Sequence, residues 1–152
     1  MQNNTGLKMF SIFDFSSRLL ISSVLFYSSL EHMLNPFAFL QDITLYRISG
    51  MNVSFLVAYF LPFLQFSTAC FLLLNWKSHA ARICCSVMFF CFLVVQSSAY
   101  FRGLDISCGC FGDYSSTISM PTILMVFTLF ALSTISYLLL RKVLTRRFLE
   151  LP

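Results

Sequence analysis

The sequence predicts an all-α integral membrane protein, a single four-helix bundle with an irregular extracytoplasmic loop carrying Cys108-Gly109-Cys110. Three observations lead there. The 152 residues are 58% hydrophobic and only 11% charged, with a mean hydropathy of +0.81, whereas a soluble domain is about 25% charged. Apolar runs free of Asp, Glu, Lys and Arg recur along the chain, and the cations crowd towards one side of those runs. The net charge of +4 is a matter of where the charges sit before it is a matter of nucleic acid or acidic partners.

A spanning helix needs roughly 20 mostly apolar residues, because about 30 Å of hydrocarbon is crossed at about 1.5 Å per residue. The first span is expected over residues 15–34. It is the weakest of the four, with Arg18 at its start and Glu31-His32 near its end. Arg18 can snorkel towards headgroups, and Glu31 can lie at the opposite interface. A cleaved signal peptide is the alternative for this segment, but no small-x-small cleavage site follows it. The uncharged runs Ile48–Trp76 (29 residues), Ile83–Phe101 (19) and Tyr114–Leu140 (27) supply spans at about 52–74, 81–101 and 120–140. Pro62 lies inside the second and is expected to kink it. Pro121 suits the first turn of the fourth.

Four spans put both termini and the Asn75–Ala81 loop on one side. That side holds Lys8, Arg18, Lys77, Arg82, Arg141, Lys142, Arg146 and Arg147, while the other holds only Arg47 and Arg102. The positive-inside rule therefore places the termini in the cytoplasm of a cell (inner) membrane protein. The Arg141–Arg147 cluster is also suited to anionic lipid. Of the two outward loops, residues 35–51 contain Pro36 and an amphipathic stretch. There Phe37, Leu40 and Ile43 recur at helical spacing, as in a short interfacial helix. The other, residues 102–120, holds three of the five glycines, which marks a tightly turning backbone.

The chemistry concentrates in that second loop, Arg102-Gly-Leu-Asp105-Ile-Ser-Cys108-Gly109-Cys110-Phe-Gly112-Asp113. A disulfide closed across one residue makes a small constrained ring, and strained, exposed disulfides are the oxidising and labile ones. Arg102 is a nearby cation that favours a thiolate. Asp105 acts oppositely or handles protons. An extracytoplasmic position suits disulfide chemistry. Three readings compete: a redox-active dithiol, a structural loop disulfide, and capture of a soft metal by two thiolates. The loop has no His to complete a zinc set.

Cys70, Cys84, Cys85 and Cys91 sit in spans and read best as small buried hydrophobes. A second redox pair or thiol path among them is the rival reading. Without it the outer pair needs another electron partner, either a membrane quinone or an external thioredoxin-like protein. Glu31 and His32, at the level of the Cys loop, either relay protons or form an orienting ion pair with Arg47 or Arg102; the ion pair is the commoner arrangement at an interface. Gln65 and Gln96 are expected to hydrogen-bond between helices.

Residues 102–112, Arg-Gly-Leu-Asp-Ile-Ser-Cys-Gly-Cys-Phe-Gly, closely resemble the loop signature of the MauE family of methylamine-utilisation proteins, within the DoxX-like group. Leu34-Asn-Pro36-Phe-Ala-Phe39 through Tyr46-Arg-Ile resembles it too. His32 departs mildly from the basic residue, often Lys, expected before the Asn-Pro turn. The resemblance implies a four-helix membrane protein associated with disulfide formation or maturation of a periplasmic partner, and it carries over to Cys108 and Cys110 alone. The expected function is thiol–disulfide exchange on extracytoplasmic partner proteins, with Cys108 favoured as the nucleophile because Arg102 and Asp105 precede it. The rivals are a non-catalytic assembly factor or accessory subunit of a larger membrane complex, and a soft-metal carrier.

Overall fold

The computed structural model describes residues 3–47, 50–104 and 119–149, with side chains described between 11 and 142. Among these the protein is all-helical. Five helices follow one another: α1 (Asn3–Leu34), α2 (Pro36–Leu45), α3 (Met51–Leu73), α4 (Ser78–Phe101) and α5 (Met120–Leu149). Each expected span falls on one of the four long helices, but α1 begins well before residue 15 and α5 runs on past residue 140. The expected short helix is α2, with Pro36 in its first turn, where a missing N–H costs nothing.

Three segments are long and apolar enough to cross a membrane: Met51–Leu73, Ser78–Phe101 and Met120–Lys142. Helix α3 continues through Pro62, although the proline denies Ala58 its usual carbonyl partner. Between α3 and α4 the chain turns within a few residues, with Asn75 and Lys77 in left-handed backbone conformations. Asn tolerates that region better than Lys does.

Large apolar side chains point outward and small polar ones point inward, the reverse of a water-soluble protein. Leu56, Tyr59, Phe60, Phe101 and Leu124 are all more than 60% exposed. The buried positions of α1 include Ser17, Ser22, Ser28 and Ser29 beside Ile21 and Leu25. Those of α3 include Ser54, Ala58, Thr68 and Ala69. Residues of this size let helix backbones approach closely where lipid supplies no hydrophobic drive for association. Accordingly α1 packs chiefly on α3, and α4 chiefly on α5.

Cross-helix contacts define the directions of the helices. Asp14 in the first half of α1 meets Arg82 near the start of α4 and Ser136 just past the middle of α5. At the other end, Tyr46 just after α2 meets Arg102 after α4, and Tyr46 and Ala99 share a small apolar cluster with Ile123. Helices α1 and α4 thus run one way and α5 the other. Thr68 lies against Cys84, their Oγ1 and Sγ 3.6 Å apart, so the late part of α3 meets the early part of α4.

Candidate functional site

Between the two helix pairs, towards the end that carries α2, lies a cavity of about 380 Å³. Its wall is mainly apolar, with Val24, Leu25, Val57, Leu61, Phe92, Val126 and Leu129 among the lining residues. Ser28, His32, Asp42, Gln65 and Gln96 add polar groups from four helices. Such a space, apolar with a few convergent polar groups, is the usual form of a small-molecule site.

Helix α2 closes part of the wall. Its Phe39 is buried and stacks on His32, with ring centroids 3.8 Å apart and planes 16° from parallel. The His32 Nε2 lies 3.2 Å from Ser28 Oγ, one turn earlier on α1. His32 is therefore buried and held on two sides. Its neighbour Glu31 is half-buried, and its Oε2 has no hydrogen-bond partner. Among the described residues Glu31 pairs with neither Arg47 nor Arg102, contrary to the expected ion pair. Arg102 instead donates from Nη1 to the Tyr46 carbonyl oxygen at 2.9 Å, which ties the end of α4 to the end of α2.

Gln65 and Gln96 are each 2% exposed. The Oε1 of Gln65 is buried without a hydrogen-bond partner, a costly arrangement in an apolar interior. The other cysteines separate. Cys85 is buried in the core beside Met88 and Phe89, Cys70 and Cys84 are half-buried, and the exposed Cys91 lines the cavity. All four are free thiols. Cys108, Cys110 and Asp105 lie outside the described residues, whereas the anchors of their segment, Leu104 and Ser119, are described. Leu104 and Ile123 pack against Tyr46 and Ala99, so both anchors sit at the end with α2 and the cavity.

At the opposite end is a polar cluster that sequence reasoning missed. Arg82, near the start of α4, is 2% exposed. Its Nη1 lies 2.7 Å from Asp14 Oδ1 and also donates to the carbonyl oxygen and the hydroxyl of Ser136. Ser136 Oγ in turn donates to Asp14 Oδ1 at 3.3 Å. Arg18 joins the cluster: its Nε lies 3.2 Å from Asp14 Oδ2, one helical turn away. One carboxylate thus joins α1, α4 and α5. The available signal was Asp14, an acid four residues before Arg18.

The outward apolar faces, inward serines and partly open apolar cavity define a helical membrane protein with a small-molecule-sized space among its helices. Within that class the chain belongs to the MauE family: the family model described as "Methylamine utilisation protein MauE" matches residues 9–141. No curated protein and no solved structure matches the chain.

Proposed function

We propose that the protein is a four-span membrane thiol–disulfide exchange protein that uses Cys108 and Cys110 to oxidise or mature extracytoplasmic partner proteins. The observation that carries this is the Cys108-Gly109-Cys110 pair, inside the region the MauE family matches. In the oxidising direction, a partner thiolate attacks one sulfur of the Cys108–Cys110 disulfide. A mixed disulfide forms and the other cysteine leaves as a thiolate. A second partner thiolate then attacks the partner's sulfur in that mixed disulfide. The partner leaves with a disulfide, having lost two electrons, and the pair is left as a dithiol. A membrane quinone or a thioredoxin-like protein would take those electrons onward.

Helix α1 serves as the fourth span in this reading. Between Ile12 and Leu34 it exposes Phe15, Leu19, Leu20, Phe26 and Leu30, a surface suited to lipid and costly in water. The distribution of cations supports cytoplasmic termini. Methylamine utilisation, the process in the family's description, is one setting for such a partner.

The test is to trap the mixed disulfide. Cys110→Ser and Cys108→Ser variants, each retaining one thiol, are expressed in the native host and recovered under non-reducing conditions. A reducible adduct with an exported protein is expected for at least one of them. Normal partner oxidation in the double variant would overturn the proposal.

A further inference from the structure

We infer that the cavity binds the ring of a lipid-soluble quinone, in either its quinone or its quinol form. Its volume of about 380 Å³ falls within the roughly 300–1,000 Å³ of small-molecule sites. No Lys or Arg lines it, so no permanent cation faces it to compensate the buried charge of a phosphate or carboxylate. Besides Asp42 of α2, the polar wall is built from groups that both donate and accept hydrogen bonds: Ser28 and His32 on α1, Gln65 on α3 and Gln96 on α4.

That property matches a ligand whose oxygens alternate between carbonyl and hydroxyl. The unpartnered, buried Oε1 of Gln65 accepts a bond from a quinol hydroxyl, and Nε2 of the same carboxamide donates to a quinone carbonyl. A simple lipid alcohol would use only part of this set, and an acyl chain none of it. Phe39, Phe89 and Phe92 in the wall favour a planar ring over a flexible chain. The cavity is partly open and the residues lining it include the exposed Cys91 and Val53, which leaves an isoprenoid tail a route to the lipid.

The inference deepens the thiol-exchange reading by giving the electron acceptor a place, and it rests on that reading only for its purpose. Binding itself is measurable without the cysteine pair. The full chain is purified in nanodiscs and titrated with decylubiquinone by calorimetry, as wild type, Gln65→Met, Leu61→Phe and the Cys108→Ser/Cys110→Ser double variant. Saturable binding is expected in the wild type and unchanged in the cysteine variant. Gln65→Met should weaken it about tenfold, as the loss of one buried hydrogen bond predicts, and Leu61→Phe should weaken it by filling the cavity. Melting curves show that each variant is folded.

A folded wild type that fails to bind overturns the inference, as does binding indifferent to both cavity substitutions. Equal competition by cholesterol or dodecanol also overturns it, showing a general lipid pocket. Intact quinone binding without thiol exchange would count against the proposed function alone.

Discussion

At the scale of single residues, the most consequential contact is the carboxylate of Asp14 held between Arg82 and Arg18. A guanidinium as buried as that of Arg82 tolerates its position only while the carboxylate and Ser136 compensate its lost hydration. Asp14→Asn should therefore destabilise the protein by about 3–5 kcal/mol, the usual cost of orphaning a buried charge. Thermal unfolding in detergent measures it. Adding Arg82→Met should recover part of the loss, because the double variant leaves no unpaired charge from that pair. Unchanged melting in Asp14→Asn would show that the pair contributes nothing. His32 and Gln65 were both legible in the sequence as polar residues in apolar segments. The surroundings of His32 were not: its stack on Phe39 depends on α2 folding back, which no local pattern encodes.

At the scale of elements, the helices are held by small residues. Ser29 is 0% exposed on the helix that packs chiefly on α3. Ser29→Leu should force the helices apart and cost about 1–3 kcal/mol by overpacking, while Ser29→Ala should melt close to wild type. Comparison of the two melting temperatures decides it, and equal values would mean that no close approach occurs there. Helix positions were readable because an uncharged run of sufficient length has few alternatives in a membrane. Which face of each helix turns inward was not readable from hydrophobicity, since most positions on both faces are apolar. The inward serines become visible as a stripe only after the helices are paired.

At the scale of the whole molecule, the proposed orientation rests on the cations. The structure pairs Arg18 and Arg82 with Asp14. Setting both aside still leaves Lys8, Lys77, Arg141, Lys142, Arg146 and Arg147 against Arg47 and Arg102, six to two, and the positive-inside rule weighs cations with little regard to acids. A C-terminal alkaline phosphatase fusion should be inactive and a C-terminal green fluorescent protein fusion bright; the opposite pattern would reverse the proposed topology. By itself the sequence determined the membrane class, the helix positions and the family, because hydrocarbon thickness and a short cysteine motif act on contiguous residues. Only the tertiary structure decided that Arg82 is an internal anchor, that Arg102 holds the Tyr46 carbonyl instead of Glu31, and that Ser28, His32 and Gln65 border one cavity. Those facts join residues of different helices, and helix pairing is set by side-chain shape across the interfaces rather than by order along the chain.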